Sequence, residues 1–300
     1  MMYKLSLLAS AAIVVALLTC STVIVSSQDD DSKAIKAEVF ISARPEKPSR
    51  RVAKYRPITL RSTPTINTPP PGTTFAQLGL TLWRLRPAKA TDKTKELIEE
   101  DDDRISEWTP ERIALDTPLA VGQRVRLGFE SLSRSGYLYV IDREEYADGS
   151  VGDPFLIFPT QKSALDYRVQ PGRLIYIPSA TGRFKIKPTE SAKTHVAQVL
   201  TFVVSPKPLI NEDRLGPTRI KLERAQVEAW QHQWSAESTK YELDGGSGQA
   251  MTEIESLAGR ENASLLNQDD PLPQTVHRLV AKPNDPLVTS IRLKFGPSGN

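Results

Sequence analysis

Apolar and charged residues alternate between Gln123 and Glu130, which is the period of a β-strand with one face in a core and the other in water. The apolar members are Val125, Leu127 and Phe129, and the charged residues that alternate with them are Arg124, Arg126 and Glu130. The following segment, Gly136 to Ile141, is apolar on both faces and predicts a central strand. Further strand candidates, separated by Pro, Gly and Asp turn signals, are residues 155–158, 173–177, 183–187 and 199–204. Short strands at this spacing predict a mainly β fold, an immunoglobulin-like antiparallel β-sandwich.

Helical patterning interrupts these strands. Residues 222–234 place Val227, Trp230 and Trp234 three and four positions apart, so the three side chains share one face of a helix. The tryptophans are either a ligand platform or the buried face of a helix laid on a sheet, and the second interpretation is favoured. A second short helix is predicted at Thr252 to Ala258.

The C-terminal strands complete the predicted domain. Residues 275–281 and 288–295 are apolar and flank the turn residues 282–286, which predicts a hairpin that returns to the sandwich. We therefore expect one domain over residues 76–300, with one or two peripheral helices in an insertion around residues 220–260.

The first 27 residues predict a signal peptide or membrane anchor. Leu5 to Val25 are almost wholly apolar, with Lys4 before them and aspartates 29–31 after them. This order of charges retains the N-terminus inside the cell and directs the remainder of the chain outward. Cleavage after Ser27 is the first interpretation, and the protein is then periplasmic or at the cell surface.

Cys20 is the only cysteine among the 300 residues. It ends a sequence with the outline of a lipoprotein box, so acylation of Cys20 is a second interpretation and an uncleaved single-span anchor is a third. The rest of the chain has no cysteine for a disulfide or a thiolate metal site, so its stability must come from its core.

Residues 28–75 predict a disordered, basic, Pro-rich linker. Between Lys33 and Thr63 there are nine Lys or Arg and two Glu, a local net charge of +7 in a chain whose formal net charge is +3. The prolines 69–71 favour an extended conformation. Such a stretch is either a solvated tether or a contact for anionic lipid, glycan or nucleic acid, and the tether is favoured.

Side chains that would carry catalysis or bind a metal are sparse. The three histidines, His195, His232 and His277, lie far apart in sequence and match no zinc-ligand spacing. Residues 246–248, Gly-Ser-Gly, lack the full frame of a serine nucleophile. No catalytic residue, cofactor site or metal site is therefore predicted.

Acidic residues form two groups. The first group is the run from Glu99 to Asp103, which ends a charged segment, residues 91–103, predicted to form a short helix. The acidic run lacks the ligand spacing of a calcium loop and is predicted to be solvated surface. The second group consists of Asp142, Glu144, Glu145, Asp148 and Asp153. It is either a calcium site or a hairpin turn with positive φ at Gly149, and the turn is favoured.

One stretch of sequence resembles a known family. The segments that carry the resemblance are Gly136-Tyr137-Leu138-Tyr139-Val140, Asp148-Gly149, Leu156-Ile157-Phe158-Pro159, Gly172-Arg173 and Ile177-Pro178. Over residues 120–205 they are similar to the bacterial exported family called domain of unknown function 4384. The resemblance implies a sensory or interaction role at the cell envelope and supplies no functional residues.

The sequence thus predicts a non-catalytic, extracytoplasmic module that interacts with an envelope protein or glycan. Export argues against nucleic acid as a partner, and membrane contact is expected only through the N-terminal segment. Two alternatives remain: a hydrolase that acts on cell-wall or glycan material through the acidic residues, and a structural subunit of a surface assembly.

Overall fold

The strands form two antiparallel sheets. The computed structural model describes residues 42–46, 69, 71–100, 104–163, 167–187, 194–243, 246–260 and 264–296. The strands in chain order are β1 (Thr74–Pro87), β2 (Glu96–Glu99), β3 (Ile105–Ile113), β4 (Arg124–Ser131), β5 (Gly136–Tyr146), β6 (Phe155–Phe158), β7 (Arg168–Val169), β8 (Leu174–Ile177), β9 (Phe184–Lys185), β10 (His195–Ser205), β11 (Ile220–Lys221), β12 (Ser238–Glu242), β13 (Thr275–Ala281) and β14 (Leu287–Lys294). The two α-helices are α1 (Arg224–Trp234) and α2 (Glu253–Ala258).

Sheet I has the order β12-β13-β1-β3-β2, with β4 on the other edge of β1 and both β8 and β9 paired to β4. Sheet II has the order β11-β6-β5-β10-β14, with β7 beside the start of β5. The two inner faces share one core, in which the rings of Phe129 and Phe202 stack across the sandwich at 5.7 Å. The predicted mainly β sandwich with one or two helices is confirmed.

Helix α1 covers the outer face of sheet II. Val227 is buried, and the rings of Trp230 and Trp234 stack at 5.8 Å and pack against the core. Gln231 on the same helix donates a hydrogen bond to Thr201 Oγ1 on β10. The prediction that this helix face packs on a sheet is confirmed, with Val227 buried and the two tryptophans half-buried.

The outer face of sheet I is covered rather than solvated, which corrects the prediction for Arg126 and Glu130. Both side chains are buried. Arg126 Nη1 and Nη2 donate to the two carboxylate oxygens of Glu96, each at 2.7 Å, and the guanidinium lies over the Tyr176 ring. Charged residues are tolerated under a covering segment only when each finds a partner, and that condition is met here.

Arg44 lies inside the segment predicted to be a disordered linker, yet it is buried on the outer face of sheet I. Its Nε and Nη2 donate to the Glu130 carboxylate at 2.7 and 2.6 Å. The remaining N–H groups donate to the backbone carbonyls of Asn267, Asp270 and Pro271. Because all five guanidinium donors are used, residues 42–46 are part of the folded structure, and the linker prediction is wrong for them. It is also wrong at its end, since β1 begins at Thr74.

Two predicted elements are wrong. Within residues 91–103, predicted to be helical, residues 96–99 form strand β2, because Ile98 is fully buried and the segment pairs with β3; residues 101–103 lie outside the described residues. The predicted C-terminal hairpin does not form either. Strand β13 pairs with β1 and β12 in sheet I, whereas β14 pairs with β10 in sheet II, so the turn between them joins the two sheets.

The tyrosine-rich segment that carries the family resemblance is the start of β5. Gly136 sits where a Cβ atom would approach the Ser205 carbonyl oxygen to 2.5 Å, so only glycine fits this strand contact. Tyr137 and Tyr139 point to the same face and both rings contact Tyr167. The segment thus has a packing role, as predicted from its residues.

Candidate functional site: a cavity between the sheets

One end of the sandwich contains a cavity of about 680 Å³. It lies where β4 and β10 begin and β5 and β14 end, between the inner faces of the two sheets. Its apolar lining comes from Leu119, Val125, Leu127, Ile157, Phe184, Ile186, Leu200, Leu293 and Phe295. Strand β9, which is only two residues long, forms part of the wall in sheet I. A volume of this size lies in the range of small-molecule binding sites.

Two carboxylates of β5 point into this cavity. Val140 on β5 pairs with Phe202 on β10, and Phe202 faces the core, so every second residue after Val140 also faces inward. Those residues are Asp142 and Glu144, which line the cavity. Both acids lie on the same face of β5 that carries apolar side chains at the start of the strand.

Asp142 is the buried member of the pair, with 7% of its surface exposed. The Gln198 side-chain amide on the neighbouring strand β10 donates a hydrogen bond to Asp142 Oδ1. Burial raises the pKa of Asp142 to about 6, although the Gln198 hydrogen bond and the charge of Arg219 oppose the rise. Glu144 adds a small increase by repulsion. Asp142 therefore changes charge near pH 6.

Glu144 and His195, two further polar residues of the lining, also have hydrogen-bond partners. Glu144 Oε2 accepts a hydrogen bond of 2.6 Å from the Tyr146 hydroxyl. His195 Nε2 lies 2.8 Å from the Ala197 carbonyl oxygen; because a carbonyl only accepts, this nitrogen carries a hydrogen and donates it. The His195 ring meets Phe295 edge to face at 4.6 Å.

The stability of the protein should depend on pH through Asp142. In the folded protein its pKa of about 6 lies above the ordinary aspartate value near 4. The contribution of protonated Asp142 to the free energy of unfolding is therefore complete below pH 4 and is lost as the pH rises through 6. We expect Asp142→Asn to raise the free energy of unfolding by about 2–3 kcal/mol at pH 7.5 and to leave it nearly unchanged at pH 4. Urea unfolding at both pH values measures this.

The control for that measurement is Asp148→Asn, which removes an acid from an exposed turn on the same connection. It should change stability by less than about 0.5 kcal/mol at either pH. A loss of stability in Asp142→Asn at pH 7.5 would contradict the assigned role of burial.

The five acids predicted as one group are separated by the fold. Asp142 and Glu144 face the cavity, but Glu145 faces outward and pairs with Arg292. Asp148 Oδ1 accepts from the Ser150 backbone and hydroxyl in a turn where Gly149 has φ of 77°. The remaining member forms ion pairs: Asp153 binds Lys221 and Arg224. The turn predicted at Asp148-Gly149 is confirmed.

The histidines are also separated. His195 lines the cavity, His232 is exposed on α1, and His277 is buried on β13 beside Thr289. Burial lowers the pKa of His277 to about 4, so it is neutral at physiological pH. Among the described residues, no group of three His, Cys, Asp or Glu side chains is arranged to hold a metal ion.

Sequence reasoning missed the cavity and its amide, Gln198. The signal that was available is the face shared by Leu138, Val140, Asp142 and Glu144 on one predicted strand. When acidic residues follow apolar residues on the core-facing side of a strand, either the strand leaves the core at that point or the core contains a polar site.

No family model, curated protein or solved structure matches this chain. Within the described ranges, no helix is both long enough and apolar enough to cross a membrane.

Proposed function

We propose that this chain is a non-catalytic extracytoplasmic module that binds a component of the cell envelope in the cavity between its sheets. The proposal is supported chiefly by the cavity itself, which combines a mostly apolar lining with a buried carboxyl group at its polar end. Apolar walls supply affinity, and a small number of placed polar groups fix the orientation of a ligand.

The lining favours an apolar ligand group over a bare glycan. Sugar hydroxyls that enter a cavity must exchange water for hydrogen bonds with the protein, and unpaired hydroxyls cost free energy. Most of the lining side chains offer no such bonds. Of the envelope partners expected from sequence, we therefore favour one that inserts an apolar group.

Export and family membership remain part of the proposal. Residues 1–27, which carry the export signal and Cys20, lie outside the described residues. The resemblance to domain of unknown function 4384 supports an interaction role at the envelope. Mass spectrometry of the mature N-terminus tests cleavage after Ser27 against acylation of Cys20.

One observation favours the hydrolase alternative. Asp142 has a raised pKa and shares the cavity with Glu144, whose carboxylate accepts from Tyr146. Glycoside hydrolysis requires a pair of carboxyl groups, one of which has a raised pKa and acts as the general acid. The apolar lining argues against a sugar substrate, so this function is placed second.

Binding and hydrolysis are separated by one set of measurements. Protein isolated from cells that express the full-length sequence should retain an envelope molecule detectable by native mass spectrometry, and Ile157→Trp, which fills the cavity, should lose it. The same preparation should release no reducing ends from cell-wall glycan. A hydrolytic rate that falls in both Asp142→Asn and Glu144→Gln would instead establish the hydrolase. The matched control is Glu145→Gln, which removes an acid from the outer face of the same strand.

A further inference from the structure

We infer that the cavity binds an amphiphile with an apolar chain and a protonated amine, and that Asp142 and Glu144 receive the amine. This inference rests on the proposed function and names the chemical class of its ligand. Two observations support it: the sign of the charges around the cavity and the directions in which the charged side chains point.

The charges that point into the cavity from the strands are acidic. Asp142 and Glu144 lie two residues apart on the inward face of β5, opposite Leu200 and Gln198 of β10. An ionised carboxylate inside apolar walls is stabilised by an opposite charge, because both lose contact with water there. An ammonium group is a compact cation with several N–H donors. It can contact two carboxylates at once.

The basic residues near the cavity point elsewhere. On β9, Phe184 pairs with Val125, which faces the core, whereas Lys185 pairs with Arg124 on the outer face. Lys185 and Lys187 both border the cavity. Both are exposed, and the alternation of the strand directs their side chains toward solvent rather than toward the interior of the cavity.

Arg219 is the remaining cation of the lining. It is exposed, and its guanidinium lies 4.4 Å from the centre of the Phe155 ring at the rim. Its charge lowers the pKa of Asp142 only as a secondary influence. An exposed, stacked guanidinium is well placed to lie beside the polar end of a ligand, but it does not neutralise the interior.

The hydrogen-bond pattern leaves acceptor atoms for an amine. Gln198 donates to Oδ1 of Asp142, and within the described part of the chain no donor contacts Oδ2. Tyr146 donates to Oε2 of Glu144. His195 already donates its Nε2 hydrogen to a backbone carbonyl, so it does not compete for either carboxylate.

Three probes of equal chain length test the inference: octylamine, octanoate and octanol. Their binding to protein expressed from the full-length sequence is measured by isothermal titration calorimetry at pH 7.5 and pH 5. At pH 7.5 we expect octylammonium to bind about tenfold or more tightly than octanol, and octanoate to bind most weakly, because the charged contact is present only for the amine. At pH 5 Asp142 is protonated while the amine stays charged, so the preference for octylammonium should shrink.

Asp142→Asn keeps the shape of the side chain and should lower the affinity for octylammonium about tenfold at pH 7.5 while leaving octanol unchanged. Asp148→Asn, on the exposed turn, should change neither affinity. Tighter binding of octanoate, or octylammonium binding that Asp142→Asn does not alter, would refute the amine assignment.

The outcomes also separate the ligand class from the proposed function. If octanol or octanoate binds at least as tightly as octylammonium and Ile157→Trp abolishes that binding, the cavity is a ligand site and only the amine assignment fails. If none of the three probes binds to protein that is folded by circular dichroism, both the ligand class and the cavity as a binding site are refuted.

Discussion

Arg44→Ala is expected to lower the free energy of unfolding by about 3–5 kcal/mol, because it leaves the Glu130 carboxylate buried without a counter-charge. Arg44 and Glu130 have 0% and 2% of their side-chain surfaces exposed. Three backbone carbonyls also lose their donor in this variant. Urea unfolding followed by circular dichroism measures the change.

A double variant and a pH series show whether the cause is the buried charge. Burial already raises the pKa of Glu130, and Arg44 opposes that rise. In Arg44→Ala the defect should therefore be largest at neutral pH and smaller near pH 4, where the carboxyl group takes up a proton. Arg44→Met combined with Glu130→Leu should recover most of the stability. Lys240→Ala, which breaks an exposed ion pair with Glu242, should change stability by only about 0.5 kcal/mol.

Glu255→Ala is expected to cost about 3–5 kcal/mol as well, through a different contact. Its carboxylate pairs with Arg112, which is buried and lies over the Trp83 ring. Its Oε2 also accepts from the Thr252 backbone and hydroxyl at 2.9 and 2.7 Å, which caps helix α2. One substitution therefore removes a counter-charge and a helix cap together.

The expected location of this defect is specific. Hydrogen exchange should increase in residues 246–260, which cover the outer face of sheet I, before it increases in β5 and β10. Glu253→Ala changes an exposed acid in the first turn of the same helix and should cost less than about 1 kcal/mol. Equal effects of the two substitutions would contradict the role of the Arg112 contact.

Strand periodicity predicts much of this fold correctly, because it depends only on which residues must be apolar. The alternation of Val125, Leu127 and Phe129 and the apolar run before Ile141 become β4 and β5. The helix at residues 224–234 also follows from the spacing of its tryptophans. Each of these features depends on residues that are close together in the sequence.

The sequence predictions are wrong where tertiary contacts determine whether a side chain is buried or whether a strand forms. A strand of alternating residues does not reveal whether its polar face meets water or a second segment, so burial of Arg126 and Glu130 was not predictable from β4 alone. Arg44 stands in a sequence with the composition of a solvated linker, and only its long-range carboxylate partner buries it. Charged composition likewise concealed the strand at residues 96–99, which exists because β3 pairs with it.

Only part of the candidate site can be predicted from the sequence. Sequence spacing groups Asp142 and Glu144 with Asp148 and Asp153 in one acidic loop, whereas in the structure the first two are inward residues of a strand. Gln198 and Arg219 come close to them through the pairing of β10 and the path before β11, and sequence spacing gives no sign of either.

The burial of Arg44 sets how far the sandwich can stand from a membrane in a form of the protein that keeps residues 1–27 as an anchor. A fully extended chain covers at most about 3.6 Å per residue, so the path from Ser27 to Arg44 spans no more than about 60 Å. Without that contact, the path from Ser27 to β1 at Thr74 would span up to about 170 Å. In such an anchored form, the contact of one guanidinium therefore shortens the longest possible tether between the membrane and the folded residues by roughly two thirds.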